Sequence, residues 1–252
     1  MSKKLLIYIV AYNAEKHIKS QVLDLIPYDQ LDDYEILVSN DSSSDKTSDE
    51  VEHYKTANPD KKILLVTQPK NLGYGGNQKF GYNYAIKNAF DAVVMIHGDG
   101  QYSPTLIPQI ATPLLEDRFD VMLGSRMINK KSALKGGMPL YKFIGNIVLT
   151  KIQNLILGVT LSEYHTGLRA YRIKALEQIP FLHNNNGFSF DTDILIQMID
   201  QKMRIGEIAI PTHYGDEICR VNSCKYAYEI IISTILSRLQ KLSLWRSKKF
   251  TY

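Results

Sequence analysis

Cysteine is almost missing from this chain, with only Cys219 and Cys224 among 252 residues. The two have no CxxC spacing and no paired histidine motif, which excludes a disulfide framework and a zinc site and reads as a reducing compartment. Long apolar runs are missing as well. Nothing reaches the roughly 18 unbroken apolar residues that a bilayer-spanning helix needs. The opening MSKKLLIYIV is basic and then apolar, but Asn13, Glu15 and Lys16 interrupt it before a signal-peptide core forms. The expectation is a cytoplasmic protein without a transmembrane segment; if it meets a membrane, it lies on it. A net charge of +4 is too small to argue for nucleic acid, though it suits a polyanionic ligand or an acidic membrane surface. Two nucleotide signatures are also absent. The first strand is followed by Ala11-Tyr12-Asn13-Ala14-Glu15 rather than G-x-G-x-x-G, which argues against NAD, and Gly73-Tyr74-Gly75-Gly76 lacks the Gly-Lys-Ser/Thr ending of a P-loop.

What is present is a rhythm. Apolar, β-branched runs at 5–10, 35–39, 63–66, 92–96 and 120–123 alternate with helical spacing at 14–25, around 51–54, at 77–88 and at 106–115. Such alternation predicts an α/β fold with a mainly parallel, doubly wound sheet, which binds ligands beyond the carboxyl ends of its strands. Four polar clusters fall at those ends: 11–15, 40–45, 97–101 and 124–126. After Arg126 the rhythm breaks into a polar loop, 127–137. An amphipathic helix over 139–158 follows, then the compact stretch 164–172. A helix over 190–203, a strand at 205–210 and a terminal helix from 225 to about 245 complete the chain. That last helix ends in Arg246, Lys248 and Lys249, which suit a helix carboxyl end and also anionic lipid.

The stretch VVMIHGDGQYSP, residues 93–104, concentrates the chemistry. Asp99 and Gln101 sit one residue apart in a glycine-flanked turn and can aim oxygens at one hard cation, Mg²⁺ or Mn²⁺. Such a cation would neutralise a departing diphosphate; the competing reading is a helix cap ahead of Pro104. Tyr12 and Asp41 can stack on a base and bind its edge or a ribose hydroxyl, against a competing role of Asn13 and Asp41 as caps. His165, His183 and His213 lack ligand spacing and read as ordinary polar groups.

Taken in order, IVAYNAEKHI, ILVSNDSSSDKT, NLGYGGNQKFGYNYA, MIHGDGQYSP, GSRM, YHTGLRAYR and FSFDTDIL resemble the family 2 glycosyltransferases, and more narrowly the dolichyl- or polyprenyl-phosphate mannose and glucose synthases. The likeness runs to about residue 215. It implies a GT-A fold, a UDP- or GDP-sugar donor, a divalent cation and inversion at the anomeric carbon. It also implies site residues. Ala11, Tyr12, Asn13, Glu15 and Asp41 would hold the base and ribose, and Gly75, Gly76, Lys79, Gly98 and Asp99 would line the nucleotide sugar. Asp99 and Gln101 would hold the cation, with His97 in the place of the family's first acid. Arg126, Arg169 and Lys142 would meet phosphate at the acceptor side, and Asp191 and Asp193 with Arg126 would be catalytic. Departures are Val10 for the usual proline and Asn40-Asp41-Ser42-Ser43 for the usual Asp-Asp-Gly-Ser.

The acceptor decides the mechanism. A lipid phosphate is already ionised, whereas a saccharide hydroxyl must lose a proton to a nearby carboxylate. Asp191 and Asp193 differ by two in a helix, so they point to different faces and one of them enters the site. The expected activity is transfer to a polyprenyl or dolichyl phosphate. Transfer to a saccharide hydroxyl in surface polysaccharide synthesis and a non-catalytic nucleotide-sugar-binding protein remain as alternatives. The domain reading is a catalytic unit over 1–215 with 139–158 as an inserted acceptor or interface helix, and a carboxyl-terminal helix and basic tail over 216–252, in peripheral contact with a membrane.

Overall fold

A computed structural model describes residues 3–212 and 222–252. Cys219, His213 and the 215/216 boundary lie outside the described residues. The strands are β1 (Lys4–Ala11), β2 (Asp33–Asn40), β3 (Ile63–Thr67), β4 (Ala92–His97), β5 (Val121–Ser125), β6 (Arg169–Arg172) and β7 (Ile205–Ala209). They form one seven-stranded sheet in the order β3-β2-β1-β4-β6-β5-β7. Only β6 runs against its neighbours, pairing antiparallel with both β4 and β5. The helices are α1 (Thr47–Ala57), α2 (Tyr74–Lys87), α3 (Ile107–Leu115), α4 (Lys130–Lys135), α5 (Leu140–Leu157), α6 (Ile173–Leu176), α7 (Phe190–Asp200) and α8 (Ser223–Lys241).

The apolar run in β1 follows from its place in the middle of the sheet. Successive side chains of a strand face opposite ways, so a strand covered on both faces is apolar throughout. Leu5, Ile7 and Ile9 join a core with α1 and α3, while Leu6 and Tyr8 join a second core with α2 and α7. From β1 the chain steps outward to β2 and β3, then returns to place β4 on the other side of β1. That reversal opens a crevice at the carboxyl ends of β1 and β4. Register brings the polar clusters level there, with Ala11 beside Asn40 and Val10 beside His97.

Four elements differ from expectation. Residues 14–25 do not form a regular helix: Ile18–Val22 is wound as a π-turn and Leu23–Leu25 as a 3₁₀ turn. Ile18, Val22 and Leu23 are all fully buried. The glycine-rich turn is not a loop, because α2 begins at Tyr74 and takes Gly75 and Gly76 into its first turn. The stretch 164–172 contributes the strand β6, and the loop 127–137 contains α4.

The helix α5 is amphipathic with its polarity reversed. Its buried side chains are Asn146, Thr150, Gln153 and Leu157, whereas Leu140, Tyr141, Ile144, Val148 and Leu155 are exposed, Leu155 by 85%. α8 packs against it in the same sense. It buries Ser233, Thr234 and Ser237 with Ile230, and Gln153 Nε2 donates to Thr234 Oγ1 at 3.3 Å across the pair. Tyr228, Ile232 and Ile235 stay exposed, as do Leu242, Leu244 and Trp245 beyond the helix. Among the described residues no helix is long and apolar enough to cross a membrane.

The tail does not extend away as a basic anchor. Lys249 turns inward to Asp193 at 2.7 Å and Phe250 is 4% exposed, so only part of the expected basic surface is available.

Candidate active site

The floor of the crevice is made of backbone. Gly98 N donates to Val10 O at 2.8 Å and Asp41 N to Ala11 O at 2.9 Å. Ala11 is buried, and a Cβ on Gly98 would press on its methyl at 3.1 Å, so this crossing favours glycine. Above it Tyr12 is 43% exposed at the rim. Asn13, at φ 52°, and Glu15 are used to stitch the first loop to the second. Ser44 N donates to Asn13 Oδ1 at 3.0 Å, Asn13 N to Ser43 Oγ at 2.8 Å, Lys46 N to Glu15 Oε2 at 2.9 Å, and Glu15 N to Asp45 Oδ2 at 3.1 Å. Both thus serve as capping and stitching groups here. Asp41 is also sunk beneath the rim, accepting from Leu72 N at 2.7 Å, and burial raises its pKa above the ordinary carboxylate value.

At the end of β4 the turn is fixed from inside. Asp99 Oδ1 accepts from Gln101 N at 3.0 Å, with Gly100 at φ 75°. Asp99 Oδ2 lies 3.9 Å from His97 Nδ1, with Asp99 side chain 47% and His97 side chain 17% exposed. Bonds to Mg²⁺ of about 2.1 Å put neighbouring octahedral ligands about 3 Å apart, so the two side chains would have to close by about 1 Å on a shared cation. Among the described residues no three His, Cys, Asp or Glu side chains gather to hold a metal. The donor set therefore suits a hard cation that shares its remaining positions with phosphate oxygens and water, rather than an all-protein cage. Gln101 reaches Asp99 through its backbone. Its side chain lines a cavity of about 290 Å³ with Leu25, Ile210 and Pro211.

His97 is joined to Asp191 through one phenol. Tyr74 Oη lies 2.9 Å from His97 Nε2 and donates to Asp191 Oδ2 at 2.8 Å. Gln78 Nε2 donates to Asp191 Oδ1 at 2.9 Å, and Arg169 Nε approaches Oδ2 at 3.6 Å. Asp191 is 6% exposed.

With this geometry in view, comparison with known proteins is decisive: the family model for glycosyl transferase family 2 matches residues 6–180. The chain belongs to glycosyl transferase family 2. The glycosyltransferase is 28% identical over 255 residues to the UDP-N-acetylglucosamine–dolichyl-phosphate N-acetylglucosaminyltransferase of Methanococcus voltae, covering 96% of this chain and 99% of the relative. It is 24% identical over 189 residues to the undecaprenyl-phosphate mannosyltransferase of Micrococcus luteus, covering 72% of this chain and 73% of that one. Among solved structures it resembles glucosyl-3-phosphoglycerate synthase from Mycobacterium tuberculosis in complex with Mn²⁺, uridine diphosphate and phosphoglyceric acid. There the TM-score is 0.65 at 16% identity, over 97% of this chain and 80% of that one. The fold is GT-A, a mainly parallel sheet flanked by helices.

Several expected ligand contacts of the glycosyltransferase turn out to be internal. Arg169 is fully buried, giving Nε to Thr166 O at 2.8 Å, Nη1 to Asp191 O at 2.9 Å and Nη2 to Tyr164 O at 2.6 Å. In place of a phosphate contact it is a brace under Asp191. Arg126, 8% exposed, pairs with Glu163 through Nε at 3.0 Å and through Nη2, and donates to His165 O at 2.6 Å. Burial alone would raise the Glu163 carboxyl, but Arg126 beside it holds it below the ordinary value. Asp193 faces away from the crevice to Lys249, Ser233 and Asn185 N. The two acids face different ways: Asp191 is linked to His97 through Tyr74, and Asp193 is not. Lys79 Nζ donates to Asn184 O at 2.5 Å and Asn186 Oδ1 at 2.7 Å, fastening a loop instead of the nucleotide, and burial lowers its pKa. Gly75 and Gly76 serve that loop too. Gly75 N donates to Asn186 O at 2.7 Å, and a Cβ on Gly75 would lie 2.6 Å from Asn185 O. Lys142 is in the first turn of α5, half-buried.

Sequence reasoning passed over Tyr74, Gln78 and Glu163. The first two stand inside the quoted NLGYGGNQ motif, where the glycines drew attention. Glu163 pairs with a residue 37 positions away, and no local pattern marks that.

Proposed function

We propose that this glycosyltransferase moves a hexose from a UDP- or GDP-sugar to a polyprenyl or dolichyl phosphate, inverting the anomeric carbon with the help of Mg²⁺ or Mn²⁺. It would do so while resting on the cytoplasmic face of a membrane. The observation that carries the acceptor is the inside-out pair α5–α8. A helix that buries Asn146, Thr150 and Gln153 and exposes Leu140, Ile144, Val148 and Leu155 suits an apolar surrounding on its outer side. Exposed apolar side chains in such a row are the mark of an interaction surface.

This surface is tied to the crevice through Glu163. Asn146 Nδ2 on α5 donates to Glu163 Oε1 at 2.8 Å, and Glu163 holds both the backbone and the guanidinium of Arg126 at the end of β5. In this reading 139–158 is the acceptor helix of a catalytic unit over 1–215, and the 216–252 segment supplies its second apolar support. The Methanococcus and Micrococcus relatives, both lipid-phosphate transferases by name, support the same class of acceptor.

The chemistry agrees. Asp191 is nearly enclosed and both its oxygens accept hydrogen bonds, so it is poorly placed to take a proton from an incoming hydroxyl. An ionised phosphate needs no such base. Tyr12 at the rim would stack on the base of the donor. Asp99 would hold the cation with His97, and Gln101 is the remaining candidate ligand. When bound, the cation neutralises charge gathering on the departing diphosphate. The Mn²⁺ and uridine diphosphate complex of the M. tuberculosis protein of the same fold supports that assignment.

The test is transfer from radiolabelled UDP- and GDP-hexoses to undecaprenyl or dolichyl phosphate in anionic vesicles. The expected product extracts into organic solvent and is acid-labile, and its formation stops with EDTA and in Asp99→Ala. A water-soluble, glycosidically linked product would overturn the acceptor, and activity surviving both treatments would overturn the metal.

A further inference from the structure

The chain His97–Tyr74–Asp191 has a direction. A phenol carries one proton, and a carboxylate only accepts, so Tyr74 gives its proton to Asp191 Oδ2 at 2.8 Å. The phenol oxygen then has only lone pairs for His97 Nε2 at 2.9 Å, and in the neutral ring the imidazole proton must sit on Nε2. Nδ1 is left bare, and it is Nδ1 that lies 3.9 Å from Asp99 Oδ2. The direction is enforced from behind. Tyr82 donates to Gln78 Oε1 at 2.8 Å, which turns the Gln78 amide so that its Nε2 points at Asp191. The phenol is clamped by Phe188, stacked at 5.2 Å, and the His97 ring by Tyr102, edge-on at 5.3 Å.

We infer that Tyr74 is a positioning residue that selects the Nε2–H tautomer of His97 and thereby leaves Nδ1 bare to act with Asp99 as ligands of a divalent cation. This rests on the metal reading proposed above. Without the phenol the carboxylate partner left to the ring, among the described residues, is Asp99, and a proton drawn to Nδ1 would block the ligand position. The partner that orients a metal-bound histidine typically carries 10–100-fold of metal affinity.

Two measurements test this. Side-chain ¹⁵N–¹H correlation spectra of the metal-free protein, with the His97 signals identified by their loss in His97→Gln, read the tautomer directly. Wild type is expected to show Nε2–H alone, and Tyr74→Phe a substantial Nδ1–H share. Asp191→Asn should reverse the chain, because Gln78 keeps the amide oxygen and the amide nitrogen then faces Tyr74. Mn²⁺ bound in separate titrations with UDP and GDP, read by electron paramagnetic resonance at a temperature where both proteins are folded, should weaken about 10-fold or more in Tyr74→Phe. If wild type takes up no Mn²⁺ with either nucleotide, the metal reading falls and this inference with it. If wild type binds Mn²⁺ and Tyr74→Phe matches it in affinity and tautomer, the role of Tyr74 alone is refuted. Nδ1–H or a doubly protonated ring in wild type also refutes it.

Discussion

At the scale of the residue, the proposed metal reading turns on His97-Gly98-Asp99. In that reading an imidazole in place of a carboxylate would remove a negative charge beside the diphosphate and exchange a hard oxygen for a softer nitrogen. His97→Asp is therefore expected to shift preference from Mn²⁺ toward Mg²⁺ without abolishing transfer, read as the ratio of initial rates with the two ions. A second histidine governs stability. His165 is half-buried with its Nε2 enclosed, its Nδ1 lies 3.0 Å from Tyr226 Oη, and desolvation lowers its pKa from 6.5 to about 4. Between those values the unfolded chain binds a proton that the folded one refuses, so stability should fall as pH drops from about 6.5 to about 4 and then level off. Urea denaturation across that range should show the slope, and His165→Gln should flatten it. Asp99 was legible because glycines flank an acid just past a buried run, and the opposite facing of Asp191 and Asp193 follows from helical spacing. That Arg169 is a brace and Arg126 half of an ion pair was not legible, because their partners come from distant elements.

At the scale of the element, α2 and α5 show where periodicity speaks and where it misleads. The glycines at the start of α2 look like a ligand loop because glycine permits close approach of backbone to anything; here the thing approached is the 185–190 segment. For Gly75→Ala two effects compete. Alanine improves helix propensity by about 1 kcal/mol. The new methyl would lie 2.6 Å from both Asn185 O and the Phe190 Cβ, and overpacking of that kind costs about 1–3 kcal/mol. Since one obstacle is backbone, the second effect should win, giving a lower denaturation midpoint and a loosened Phe188 and Asp191. In α5 the apolar stripe was visible, but a stripe does not say whether it faces protein or solvent. The polar side chains that α8 covers settle it.

At the scale of the whole molecule, the order β3-β2-β1-β4 places the crevice and the alternating segments announce it. The antiparallel β6 was hidden, since four residues with an arginine at each end carry no strand periodicity. The far end of the chain closes over α7: Lys249 meets Asp193, Gln197 Nε2 donates to Lys249 O at 2.6 Å, and Gln240 Nε2 donates to Phe250 O at 2.7 Å. Asp193 is fully buried, so Lys249→Met should strand its charge and cost about 3 kcal/mol in chemical denaturation, partly restored by Asp193→Asn in the same chain.

The first turn of α7 thus answers to two masters. On one side Asp191 is bound to Tyr74, Gln78 and Arg169, and on the other Asp193 is bound to the tail. In lineages descended from a common ancestor the two acids should drift separately: position 193 in step with 249, position 191 in step with 74 and 97. The network around the crevice and the one around the tail are written two letters apart and should be edited independently.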